Sequence, residues 1–223
     1  MIIARKDAPP SMFPPLLDHP VVVIDFETTG MSPERGARVT EVGAVLLEAG
    51  RITRRFQSLM NAGMRVPPAV EAYTGITNAM IRAAPPAGEV MAALVGFIGN
   101  TPLVAHNASF DRKFLDAELA LIQRQCSAEM ACSLLISRRV FPGAPSYSLG
   151  NLLAHLGLST DRTFHRALAD ATATAELWLR IVSEQRQRYG LAAGSFDALH
   201  EVQALPPRKV ARYFQALAEG RIG

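Results

Sequence analysis

Apolar positions along the chain follow two rhythms. The uninterrupted run Val21-Val22-Val23-Ile24 and the apolar-rich stretches at 38–47 and 51–59 have the length and β-branched character of strands, the first of them buried. Glu48-Ala49-Gly50 supplies a tight connection between the second and third, so the three predict an antiparallel meander. From Pro67-Pro68 the spacing turns helical: a short segment closing near Thr74-Gly75, a longer amphipathic helix over 88–98, and another over 109–125. Residues 103–106 read as a short strand between those two, and further helices are predicted over 132–140, 148–156 (stopped by Gly157) and the Ala-rich 166–188. Strands first and mixed elements afterwards predict an α/β fold, a central sheet flanked by helices.

The ends of the chain read differently. Pro9, Pro10, Pro14, Pro15 and Pro20 strip backbone donors from residues 1–20, which are expected to form an extended lead-in. Residues 21–190 have the size of one domain, and 191–223 read as a helical appendage with helices near 197–204 and up to 219, broken at Pro206-Pro207. With 223 residues, 49% hydrophobic and 19% charged, the chain has ample core for one globular domain and is not of disordered composition. No apolar run is long enough to cross a bilayer, and Cys126 and Cys132 match no zinc or redox spacing, so a soluble protein in a reduced, cytoplasmic setting is expected. A net charge of +3 is too small to point to nucleic acid, but acids gathered at one place would leave the remaining surface more basic than that total.

Acids are indeed gathered. Asp25 and Glu27 alternate at the end of the first strand, so both side chains point to one face, where two like charges need a shared proton or a cation. Asp111 shares a helical face with Leu115, Glu118 and Ile122, and Asp170 precedes Thr174, Leu177 and Ile181 at core-facing spacing. One such acid alone is most simply a cap or a buried ion pair; four together point to divalent metal. His165 lies five residues before Asp170, roughly 140° away on a helix, and can share a site with it only from the loop just ahead. An imidazole beside such a site is a natural proton acceptor from water, and His106 competes for the role.

Three motifs, Asp25-x-Glu27-Thr28-Thr29-Gly30, His106-Asn107-Ala108-x-Phe110-Asp111 and His165-x-Ala167-x-x-Asp170, resemble those of the DEDDh family of 3′–5′ exonucleases, which includes polymerase proofreading subunits. Thr74-Gly75-Ile76-Thr77 and Tyr147-Ser148-Leu149-x-x-Leu152 resemble two further segments of that family, and the likeness spans residues 20 to 188. The resemblance implies a ribonuclease H-like fold, two divalent cations (Mg²⁺ or Mn²⁺) held by Asp25, Glu27, Asp111 and Asp170, and His165 as general base. It implies a nucleic acid with a 3′ end as substrate, foremost single-stranded or mismatched DNA, and a DNA polymerase subunit as a candidate partner. Cys132-Ser133 replaces an Asp-Thr pair common in the family, which leaves the ligand set intact.

Other roles stay open at this level. Thr28 and Thr29 either contact the terminal sugar or shape the turn with Gly30; Asn107 either organises the entry to its helix or touches substrate. Tyr73, Phe26 and Phe110 are candidate stacking faces, with core packing the alternative for Phe110, and Ile76 is expected as an apolar wedge at the last base pair. Arg54-Arg55 and Arg138-Arg139 either follow a phosphate backbone or are solvated. An RNA-trimming relative with the same site and an inactive nucleic-acid-binding module are the alternatives to a DNA exonuclease, and the complete acid set argues against the latter.

Overall fold

A computed structural model describes residues 17–158 and 165–222; residues 1–16, most of the expected lead-in over 1–20, and residues 159–164 lie outside the described residues. Five strands form one mixed sheet in the order β3-β2-β1-β4-β5, built from β1 (Val21–Thr28), β2 (Val39–Glu48), β3 (Arg51–Leu59), β4 (Leu103–Ala105) and β5 (Met130–Cys132). The expected meander is present: β1 pairs antiparallel with β2 and β2 with β3, whereas β4 joins β1, and β5 joins β4, in parallel.

β1 and β2 are buried on both faces, which is why they read as continuous apolar runs rather than as alternation. Val21, Val23, Val45 and Leu47 face a core completed by Trp178, Leu177 and Ile181 of α7 (Ala167–Tyr189). Val22, Ile24, Phe26 and Val42 face the opposite core, closed by α3 (Ala87–Ile98) and α4 (Ala108–Leu121). The sheet is therefore a middle layer between helices, the ribonuclease H-like arrangement.

Several expectations need correction. Helix α4 ends at Leu121 rather than near 125, because Gln123 adopts a left-handed φ of 55°. β5, with three residues, and α2 (Asn78–Ala83), with six, were not anticipated; neither is long enough to show a period. Between α1 (Pro68–Thr74) and α2, Ile76 is fully buried with Val66 and Ile81, so it packs and offers no surface to a base. Phe26 is likewise buried, and Phe110 lies against Phe114 with ring centroids 4.9 Å apart.

Beyond α5 (Ser133–Val140) and α6 (Leu149–His155), α7 runs to Gly190, whose φ of 70° makes the turn that ends it. The chain then returns over α5, α7 and β5 as α8 (Phe196–Val202) and α9 (Pro207–Ala218), burying Phe196, Leu199, Val210 and Phe214. Gln203 accepts the Cys132 backbone N–H at 2.8 Å, covering a donor of the edge strand. Among the described residues, no helix is long and apolar enough to cross a membrane.

Candidate active site

Three elements deliver the acids to one place. Asp25 and Glu27 occupy the last turn of the β1 pleat, opposite Gly43 and Glu41 of β2, just before a register shift between Glu27 and Thr28. A bulge at this point bends the strand end where a site needs it. Helix α4 starts directly after β4 from Asn107, which enters with φ 69° and makes no side-chain cap, so it organises the turn through its backbone. That turn puts Asp111 beside β1, where its Oδ1 accepts the Phe26 N–H at 3.2 Å. From the other face comes α7. A Cβ on Gly43 would lie 2.2 Å from the Ala167 backbone, so only glycine lets the helix start this close to the sheet.

Asp170, in the first turns of α7, is buried, and its Oδ2 accepts the His165 N–H at 2.9 Å. His165 sits two residues before the helix with φ 67°, the off-helix position its spacing to Asp170 requires. Ligand atoms of Glu27, His165 and Asp170 all lie within 4.8 Å of one another. The Tyr73 ring, exposed at the end of α1, covers the His165 imidazole with centroids 3.9 Å apart. Asp25, His165 and Asp170 open on a cleft of about 350 Å³ whose opposite wall is His106 and residues 148–151.

The electrostatics are those of acids crowded together and withdrawn from water. Burial, then Asp111, Asp170 and Glu27, hold the Asp25 carboxyl well above the usual carboxylate range. Burial and Asp170 push Glu27 up to about 7, and burial pushes Asp111 up to about 8. Asp170 is raised as well, again chiefly by burial. Its Oδ1 is buried with no hydrogen-bond partner among the described residues. An orphaned carboxylate oxygen among acids that resist ionisation fits a hard divalent cation.

Neighbouring residues are accounted for by the fold. His106 is half-buried with Nδ1 2.9 Å from Ser133 Oγ and Nε2 2.9 Å from the Tyr147 carbonyl, so its two nitrogens tie the start of α5 and the approach to α6 to the end of β4. Burial lowers its pKa, keeping it a neutral strut. Thr28 donates to the Gly30 carbonyl at 2.7 Å, and Thr29 Oγ1 accepts the Arg38 N–H at 2.9 Å, so both hydroxyls shape the turn. Arg139 donates to the carbonyls of Leu205 and Leu135, while Arg138 and Arg54 lie over the rings of Tyr147 and Phe97. A larger hollow of about 620 Å³ opens beside Glu41 and Arg166, walled by Leu59, Met80, Pro85 and Leu168; none of the four clustered acids reaches it.

Glu41 was missed by sequence reasoning. Its signal was available: a charge inside the apolar stretch of β2, followed two residues later by a glycine.

The exonuclease family profile matches residues 22–178, most of the chain. The chain belongs to the exonuclease family. A DNA polymerase III subunit epsilon from Aquifex aeolicus (strain VF5) is 36% identical over 189 residues, covering 84% of this chain and 92% of that protein. The 3′-5′ exonuclease DinG of Bacillus subtilis (strain 168) is 37% identical over 74% of this chain but only 18% of its own length. Among solved structures, exonuclease X in complex with 5′ overhanging duplex DNA superposes with a TM-score of 0.65 at 26% identity, covering 82% of this chain and 99% of that one. The family is one of hydrolytic 3′–5′ exonucleases that work with divalent metal ions.

Proposed function

We propose that this exonuclease removes nucleotides from the 3′ end of DNA, with single-stranded or mismatched ends as preferred substrates and Asp25, Glu27, Asp111, Asp170 and His165 as its catalytic set. The observation that carries the reading is the gathering of acids from β1 and α7 around one cleft, Asp25 and Asp170 lining it and Glu27 within ligand distance of Asp170, with buried Asp111 of α4 acting on Asp25 and Asp170 Oδ1 unpartnered among the described residues. Asp25, Glu27 and Asp170 would hold one Mg²⁺ or Mn²⁺, with Asp25 shared and Asp111 supporting a second. When bound, such ions neutralise the scissile phosphate and favour departure of the 3′ oxygen.

The chain's own residues do the rest. His165, held ahead of the helix by its backbone bond to Asp170 and by the Tyr73 ring over its imidazole, takes the proton of the attacking water. His106 holds the opposite wall of the cleft. Tyr73, with its ring exposed beside His165, offers a stacking face for the terminal base in place of the buried Ile76. A narrow cleft needs an unpaired end, because unstacking a terminal pair costs a few kcal/mol. Residues 21–190 form the exonuclease domain in this reading, with 191–223 as an appendage bracing α5 and α7. Similarity to the Aquifex aeolicus epsilon subunit over 92% of its length supports a DNA polymerase subunit as partner.

Labelled single strands of DNA and RNA, digested side by side with Mg²⁺, test the substrate. DNA is expected to be degraded at least as fast as RNA and faster than duplex. A strong preference for RNA would replace this reading with that of an RNA-trimming enzyme.

A further inference from the structure

Arg166 stands between His165 and Ala167, one residue from the general base and four from Asp170. Its guanidinium carries a permanent positive charge up to the edge of the acid cluster. Left to itself, it is the obvious counter-ion for Glu27, with which it already interacts electrostatically. It is not left to itself. Glu41, fully buried and directly across the β1–β2 ladder from Glu27, accepts Arg166 Nε at 3.0 Å and Nη2 at 2.8 Å in a two-pronged pair.

Both Glu41 oxygens are saturated, each by two donors. Oε2 also accepts the Ala167 N–H at 3.1 Å, and Oε1 the Gln57 side-chain amide at 2.8 Å. A carboxylate on the first N–H groups of a helix is favoured by the helix dipole as well. The bond to Ala167 fastens the α7 start to β2 at the place where Gly43 permits the approach, and that start carries Asp170 and His165.

We propose that Glu41 is a positioning residue with two jobs: it docks the start of α7 and it sequesters Arg166, so that Arg166 does not close on Glu27 as a direct ion pair and Glu27 remains available to metal. Opposite Glu27, the two side chains stem from Cα partners on adjacent strands, close enough that a guanidinium released by one meets the other. The proposal rests on the reading that the four acids hold divalent metal.

A sign, rather than a size, separates this from a simple brace. Glu41→Gln keeps the shape but frees Arg166, and should weaken Mn²⁺ binding roughly tenfold or more, as a unit charge a few ångströms away does. Arg166→Gln leaves an extra negative charge beside Glu27, and should bind Mn²⁺ at least as tightly as the parent protein. The double variant Glu41→Gln/Arg166→Gln removes both charges and should return to within about threefold of the parent.

The experiment is Mn²⁺ titration of the full chain by calorimetry or electron paramagnetic resonance, with circular dichroism to verify folding and Asp25→Asn as control. Weakening by both single substitutions, with no recovery in the double, would overturn the proposal in favour of a brace. Should Glu41→Gln not fold, Arg166→Gln decides alone: weaker Mn²⁺ binding refutes sequestration, equal or tighter binding supports it. Unchanged Mn²⁺ binding in Asp25→Asn would instead remove the metal reading itself, and the proposal with it.

Discussion

Glu118 and Glu41 are as buried as Asp111 and Asp170, with exposures of 3% and 0% against 2% and 8%, yet the two sets are treated in opposite ways. Glu118 takes Arg38 in a two-pronged pair at 2.7 and 2.8 Å and the Val39 N–H at 3.1 Å; Glu41 takes Arg166, Ala167 and Gln57. Among the described residues, Asp111 and Asp170 have backbone donors at most and one oxygen of Asp170 has none, and the pKa values of the clustered acids are driven upward. A buried charge is tolerated when paired and costs several kcal/mol when it is not. Within one fold, then, acids with donors hold elements together, and acids without them are kept for a cation from outside.

The contrast is broken most severely by substituting the unpaired set. Asp25→Asn should lower exonuclease activity by about 10³-fold or more, beyond the 10–100-fold typical of residues that merely support a ligand. The metal-free protein should melt at the same or a higher temperature, because repulsion is relieved. Activity near that of the parent in Mg²⁺ would end the assignment. His165→Ala should cost on the order of 10² to 10⁴ in rate while Mn²⁺ binding is largely kept. An equal loss for His106→Ala would move the proton acceptor to the other wall of the cleft.

The paired set should answer in stability instead. Glu118→Gln removes the charge partner of the half-buried Arg38 guanidinium and is expected to cost about 1–2 kcal/mol in denaturant melts, with the turnover of folded molecules little changed. A large loss of metal affinity in that variant would blur the distinction.

Acidity sharpens it. In the fold, Glu27 and Asp111 keep protons up to about 7 and about 8, whereas the unfolded chain releases them in the ordinary carboxylate range. The folded state therefore binds more protons in that window, and the metal-free protein should lose stability as pH rises from about 5 to about 8. Melting curves with chelator should display this slope, Mn²⁺ should flatten it, and Asp111→Asn should reduce it. A metal-free protein equally stable at both ends of the window would show that the acids are compensated by something else.

The smallest effect is expected at the rim. Tyr73→Ala should slow digestion of paired ends a few-fold more than of single strands, since one stacked base is worth about 1–3 kcal/mol. Equal effects on both substrates would reduce Tyr73 to a cover for His165.

Much of the site was legible because its rules are local. Alternation on a strand put Asp25 and Glu27 on one face, helical register set Asp111 and Asp170 toward the core, and an angle of five helical steps expelled His165 onto the preceding loop, where φ 67° now places it. The long two-faced strands and the long helices announced themselves by the same periodicities. β5 and α2 did not, being shorter than the patterns that reveal them.

What the sequence determined by itself was the set of groups and the face each would show, since side-chain direction along a strand or helix follows from backbone geometry over a few residues. Which acids would find donors was decided only by tertiary contacts: Glu41 meets Arg166 across 125 positions and Glu118 meets Arg38 across 80. The same contacts buried Ile76, made His106 a strut, and left Asp170 Oδ1 alone. Pairing depends on where distant segments dock, and that is set by the packing of two cores on one sheet rather than by any pattern a short stretch of chain can carry.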